Sequence, residues 1–114
     1  MNQTEQFISW NDFSKVDIRI GKVIHAEPFV EAIKPAYKIT IDFGELGIKK
    51  TSAQITELYQ PEMLIGKQVV AVVNFPPKQI ANLMSECLLL GAVNGKEVIL
   101  LTSDLPTQNG LRIG

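Results

Sequence analysis

Alternation at period two dominates the first half of the chain. Val16-Asp17-Ile18-Arg19-Ile20 switches between apolar and polar side chains, the pattern of a strand with one face buried. Gly21 follows within the pattern before Val23-Ile24 resume it, and a glycine inside such a run predicts a bulge or a sharp bend. Tyr37-Lys38-Ile39-Thr40-Ile41-Asp42-Phe43 alternates more cleanly, with Tyr37, Ile39, Ile41 and Phe43 on one face and Lys38, Thr40 and Asp42 on the other. Gly44-Glu45-Leu46-Gly47 turns the chain and the segment 48–53 returns, so the two runs predict a hairpin.

The pattern changes in the second half. Five consecutive apolar residues, Val69-Val70-Ala71-Val72-Val73, fill the run 68–75, and 87–93 and 98–101 are similar. Strands apolar on both faces need cover on both. The barrel interior can be one cover; the other is a helix, an extension of the chain or a second subunit, and a homodimer is the expectation. Two short helical stretches are expected. One spans Ser9 to Phe13, with Ser9 or Asn11 as its cap and Trp10 and Phe13 packed inward. The other spans Gln54 to Tyr59 and is closed by Pro61. The order is then strand, hairpin, short helix, strand, loop, strand, with an added strand and tail. That order predicts an all-β, five-stranded OB-fold Greek-key barrel over a single domain, 1–114, with a short helix between strands 3 and 4 and extensions at both ends.

Composition removes whole classes of function. A chain of 114 residues has room for one domain. Cys87 is the only cysteine and His25 the only histidine, so no internal disulfide, no multi-cysteine metal site and no nucleophile–base–orienter set can be built. His25 sits on an expected strand, where a structural role is the simpler reading. There is no glycine-rich phosphate loop. No catalytic residue, metal or cofactor is expected, and a binding module is what remains. The stretch Met1 to Trp10 lacks the basic start and apolar run of a signal peptide, and no apolar run approaches the roughly 18 residues of a membrane span. A cytosolic location without membrane insertion is the resulting expectation. Eleven basic against twelve acidic side chains give a net charge of −1, so contact with a polyanion has to come from a local patch.

The candidate patch surrounds Phe75-Pro76-Pro77-Lys78, where two prolines end the fourth strand because neither can donate to a ladder. Residues 78–84 then read as an exposed loop, with Ser85 and Glu86 opening the next strand. In an OB-fold that loop walls a groove facing the second and third strands. Lys34, Lys38, Lys49, Lys50 and Lys78 border it. Adjacent strand residues point to opposite faces, so only one of Lys49 and Lys50 can face a ligand, and Lys49 is assigned to it.

Asp17-Ile18-Arg19-Ile20-Gly21-Lys22-Val23 resembles the opening of the tRNA-binding domain family, found appended to bacterial methionyl- and phenylalanyl-tRNA synthetases and as free-standing dimers. Tyr59, Pro61, Glu62, Leu64 and Gly66 resemble its helix and following turn, and Asn74, Pro77, Lys78, Ser85 and Glu86 its signature loop. The stretches 41–47, 52–56 and 74–78 resemble its CsaA branch of secretion-associated, chaperone-like proteins. Asn82, Cys87 and Leu88 stand where the synthetase-appended domains commonly carry glycine, glycine and methionine. The resemblance implies an OB-fold homodimer that binds tRNA by shape and backbone. With the strand faces above, it marks Lys38, Lys49, Ser52, Asn74, Lys78, Ser85 and Glu86 as RNA-binding residues. The CsaA branch also implies binding of unfolded preproteins and contact with the secretion machinery, for which Phe75, Pro76, Pro77 and Met84 are the candidates.

Overall fold

In the computed structural model, which describes residues 6–114, one long strand serves both halves of the barrel. β1 (Ile18–Pro28) pairs through its first half with β4 (Gln68–Val72) and through its second half with β2 (Tyr37–Asp42), antiparallel in both cases. Gly21 lies where it changes partner: a Cβ there would stand 2.5 Å from Ile41 Cγ2 and 2.8 Å from the Phe43 ring. The register slips between Val23 and His25, the bulge that the glycine-interrupted pattern predicted just downstream. β2 and β3 (Ile48–Ala53) form the predicted hairpin, joined by a 3-10 turn at Gly44–Leu46.

The main sheet has five strands in the order β3-β2-β1-β4-β7, where β7 is Leu88–Leu89. Around Lys50 and Glu86 the first and last strands come back together, giving the nearly closed OB-type barrel that the strand order predicted. Its core follows the period-two pattern. Ile39, Ile41 and Phe43 are buried with Val23, Leu64, Val69 and Ala71, while Lys38, Thr40 and Asp42 lie on the other face. Val70 and Val72, on the second face of β4, are buried too, so the chain's own residues cover that strand on both sides.

Three local expectations are corrected. Gln54 to Tyr59 is not helical; the helix there is α2 (Pro61–Leu64), because proline at the first helical position starts a helix rather than stopping one. The segment 78–84 is not an irregular loop but a hairpin, β5 (Lys78–Ile80) with β6 (Leu83–Ser85), whose tip puts Ala81 at φ 49°. In α1 (Trp10–Ser14), Ser9 is the cap as expected: its Oγ accepts from Asp12 N at 3.0 Å, and Asp12 Oδ2 accepts from Ser9 N at 3.1 Å. The helix does not bury its aromatics, however, and Trp10 is 91% exposed. One short turn of helix has too few contacts to pull it in.

After the hairpin of β8 (Gly91–Asn94) and β9 (Glu97–Leu100), the C-terminal tail runs back along the part of β1 that β2 leaves uncovered. Gly110 N donates to Ile20 O (2.7 Å), Ile20 N to Leu111 O (3.0 Å) and Ile113 N to Ile18 O (2.8 Å). Gln68 anchors the approach: its Nε2 donates to Thr107 O and Asn109 Oδ1, and its Oε1 accepts from Thr107 N. Asp17 and Arg19 lock the same region. Arg19 Nε donates to Asp17 Oδ1 at 2.6 Å, Arg19 Nη1 to Gly110 O at 3.0 Å, and Arg112 Nη2 to Ser14 O at 2.8 Å. The hydrogen bond from Arg19 holds the Asp17 carboxyl below the usual carboxylate range, against the opposing effect of burial. A carboxyl depressed in the folded state contributes stability present above its unfolded value, near 3.9, and lost as pH falls through the folded one. Asp17→Asn is therefore expected to lower the urea midpoint at pH 6 and to flatten the acid-side loss of stability below about pH 4. Parallel pH profiles for the two proteins would contradict this.

Candidate nucleic-acid interface

The face of β1, β2 and β3 turned away from the core carries two cross-strand rows. Register places His25 opposite Thr40 and Thr40 opposite Lys50; the next row is Glu27, Lys38 and Ser52. Residues directly opposite in an antiparallel pair share a face, so each row is a contiguous strip of polar side chains. The bulge creates the first row, because without the slip between Val23 and His25 the imidazole would fall out of step with Thr40. Its side chain is 59% exposed.

The β5–β6 hairpin overhangs this face. Asn82 and Leu83 from the hairpin join His25, Glu27, Lys38, Ile39, Thr40 and Lys50 around a polar recess of about 230 Å³. Among the lining residues, Lys38 Nζ lies 3.8 Å from Glu31 Oε1 and 5.3 Å above the Phe29 ring, and His25 Nε2 lies 3.5 Å from Glu27 Oε1. Lys50 lies in the recess without an ion-pair partner among the described residues.

Register separates Lys49 from Lys50 by face, and the polar face with Lys38 carries Lys50. Lys49 is in register with Ile41, a core residue, and therefore points to the barrel side, where its charge reaches Cys87. Lys50 shares the polar face with Lys38. Sequence alternation carried the choice only as far as one of two, and an anchor to the partner strand was needed to decide it.

The side chains of Asn74, Ser85 and Glu86 each hold hydrogen bonds within the fold. Asn74 Oδ1 accepts from Asp17 N at 2.9 Å and its Nδ2 donates to Lys15 O at 2.7 Å, tying the end of the fourth strand to the entry of the first. Ser85 Oγ lies 3.0 Å from Thr51 Oγ1 and 3.4 Å from Ser52 N. Glu86 makes a reciprocal pair with one residue of β3: Lys50 N donates to Glu86 Oε1 at 2.9 Å, and Glu86 N donates to Lys50 O at 2.8 Å. Together the Ser-Glu pair latches β3 to the β6–β7 connection and closes the barrel wall. Lys78 pairs with Ser85 in the hairpin, so it lies on the side turned to β3, and its side chain is exposed. Cys87, buried behind the latch, has its thiol pushed up to about 11 by burial, so it stays protonated at neutral pH.

A second cavity lies on the other flank of the hairpin tip. It is an apolar groove of about 790 Å³ between the end of β3 and β7–β8, walled by Ile33, Ile55, Ile80, Leu88, Leu89 and Val98, with Ser52 at its edge. Phe75, Pro76, Pro77 and Met84 do not line it. They stand exposed on the outer side of the hairpin and its approach, because Met84 pairs with Gln79 on the face opposite Ser85. The two flanks meet where Ser52 and Lys38 sit opposite each other. Among the described residues, no group of three or more His, Cys, Asp or Glu side chains could hold a metal ion, and no helix is long and apolar enough to cross a membrane.

A family model described as "Putative tRNA binding domain" matches residues 18–112, nearly the whole barrel and its tail. The chain belongs to the tRNA-binding domain family. Among solved structures it is similar to the CsaA chaperone of Bacillus anthracis, with 52% identity and a TM-score of 0.91 over 95% of this chain and 99% of that one. The CsaA chaperone protein of Picrophilus torridus gives 54% identity and 0.89, covering 95% and 100%. These similarities place the chain with the CsaA branch. Among curated proteins it is similar to the methionine–tRNA ligase of Bdellovibrio bacteriovorus, 39% identical over 107 residues, which is 93% of this chain but only 15% of that enzyme. The chain thus corresponds to an appended tRNA-binding domain and spans a small part of the curated relatives it matches.

Proposed function

We propose that the protein binds tRNA across the outer face of β1–β3, under the β5–β6 hairpin, and that it acts as a binding module without catalysis of its own. The observation that carries the reading is the pair of polar cross-strand rows, roofed by the hairpin, on a barrel of the tRNA-binding family. Lys38, Lys50 and Lys78 are the cations bordering that surface, with Ser52 at its rim. Glu27 and Glu31 offset two of the positive charges, which suits recognition of a folded RNA's backbone at modest strength rather than capture of any polyanion.

A second reading, binding of unfolded polypeptide, rests on the apolar groove beside the hairpin. Its aliphatic walls suit side chains of an extended segment and offer no ring on which a base could stack. Such an activity would fit unfolded preproteins, the secretion machinery and a cytoplasmic setting. Assembly as a homodimer is supported by the exposed Phe7, Ile8, Trp10, Leu105 and Leu111, which lie on both terminal extensions.

One set of measurements tests these readings together: tRNA binding followed by sedimentation and anisotropy at two salt concentrations, with and without an unfolded peptide. Affinity should fall steeply with salt. Lys78→Glu should weaken it more than Lys96→Glu in the β8–β9 turn, and the free protein should sediment at twice its monomer mass. Binding indifferent to salt would remove the RNA reading. Peptide that neither binds nor delays aggregation of unfolded protein would remove the second, and a monomer mass would remove the dimer.

A further inference from the structure

We propose that the recess under the hairpin tip is a seat for a single backbone phosphate of the RNA, with Lys50 as its cation and His25, Thr40 and Asn82 as its hydrogen-bond donors. This rests on the RNA reading above and assigns it an atom-level contact.

The recess brings four elements to one point. His25, Thr40 and Lys50 form one straight cross-strand row over β1, β2 and β3, and Asn82 comes down from the β5–β6 tip. Each contributes donor capacity: an imidazole N–H in either protonation state, a hydroxyl, an amide NH₂ and an ammonium group. None of these side-chain donors is engaged in a hydrogen bond within the described chain, apart from the 3.5 Å approach of His25 to Glu27. Of the other charged groups lining the recess, Lys38 is matched by Glu31, and Glu27 lies 3.5 Å from His25 Nε2, an ion pair only when the imidazole is protonated. Lys50 is the ammonium at the recess without an ion-pair partner among the described residues, and it is the complement of one phosphodiester.

Size points the same way. At about 30 Å³ per water, 230 Å³ corresponds to roughly seven or eight waters, which accommodates a phosphate group with the edge of its sugar but not a stacked base pair. Rigidity adds to this. The backbone of Lys50 is held at both N–H and C=O by Glu86, so the ammonium projects from a fixed strand. Positioning of this kind lowers the ordering cost of a charge-assisted contact.

The test is the salt dependence of tRNA binding in Lys50→Gln, set against Lys67→Gln, an equal loss of charge in the turn before β4 and away from the recess. Lys50→Gln is expected to weaken binding by the same factor for several tRNA species and to reduce the slope of log K against log salt by about 1. Lys67→Gln should leave the slope of the wild-type protein. Asn82→Ala and Thr40→Val, which remove no charge, should weaken binding while keeping the slope. These are surface side chains, and an unchanged thermal midpoint confirms that each variant is folded. If Lys50→Gln binds tRNA with the wild-type slope, the phosphate seat is refuted while the RNA reading stands. If the wild-type protein does not bind tRNA at low salt, both fall. An unfolded polypeptide displaced from the wild-type protein by tRNA but bound equally by Lys50→Gln would place the polypeptide outside the seat and support the assignment.

Discussion

Gly110→Ala is expected to lower the stability of the protein by about 3 kcal/mol, one of the largest effects of any single methyl group in this chain. Gly110 has φ 96°, a conformation that costs an L-residue roughly 1–2 kcal/mol by itself. The added Cβ would also collide with the carbonyl oxygen of Phe43, which is backbone and cannot swing aside. Gly44 faces the same junction from the other side: at φ 64° its Cβ would collide with Asn109 O. The turn after β2 and the start of the tail thus pass each other with room for hydrogen atoms only. Displacing the tail gives up its hydrogen bonds to Ile18 and Ile20 and the Arg19 contact with Gly110 O. Because Gly44→Ala breaks the same apposition, the double variant should cost clearly less than the sum of the two. Urea midpoints and amide exchange at Ile20 and Ile113 would measure this, and additive losses, or a loss near zero at Gly110, would show that the tail is not locked at this junction.

That junction could not be read from the sequence, and the reason is instructive. The alternation over Tyr37 to Phe43 determined the buried face of β2 because side-chain direction in a strand is a local property. Ile39, Ile41 and Phe43 are in the core for that reason. Closure of the barrel and docking of the tail are pairings between residues far apart in sequence, Ile18 with Ile113 among them, and no local pattern encodes them. The same distinction separates the two short helices. Ser9 and Asp12 form a capping box within four residues, so the cap was legible. Whether Trp10 is buried depends on what lies across from it, and nothing among the described residues does. Pro61 was ambiguous in kind, since proline ends one helix and begins another with the same fixed φ.

The candidate site divides in the same way. The family resemblance pointed to the segment that overhangs the recess, the hairpin 78–85 and its flanks, and its signature residues Asn74, Ser85 and Glu86 hold the frame around that recess. Asn74 joins β4 to the entry of β1, and Ser85 and Glu86 join the hairpin to β3. The groups that reach the recess, His25, Thr40, Lys50 and Asn82, form no linear motif. They meet because a bulge in β1 shifts one residue into register and because the hairpin folds back over the sheet. A residue pattern that defines a family is thus informative about the scaffold, here the frame around the recess, as much as about the recess itself.

Glu86 gives the sharpest test of that division. If its carboxylate serves as a latch, Glu86→Ala should destabilise the protein by about 1–2 kcal/mol, because Lys50 N–H loses a charged acceptor in a partly solvated position. Glu86→Gln retains an oxygen that can accept the same bond and should cost under about 1 kcal/mol. RNA binding then follows the latch rather than the charge. Glu86→Gln should bind tRNA within about twofold of the wild-type protein, since a group turned into β3 removes no repulsion from the ligand face. Glu86→Ala should bind more weakly, because it releases the strand that holds Lys50 under the hairpin. A contact role predicts the opposite ordering: Glu86→Gln would change affinity at unchanged stability, and Glu86→Ala would do no more than that. Thermal midpoints and tRNA titrations on the two variants, read side by side, decide between a residue that touches the RNA and one that holds in place the residue that does.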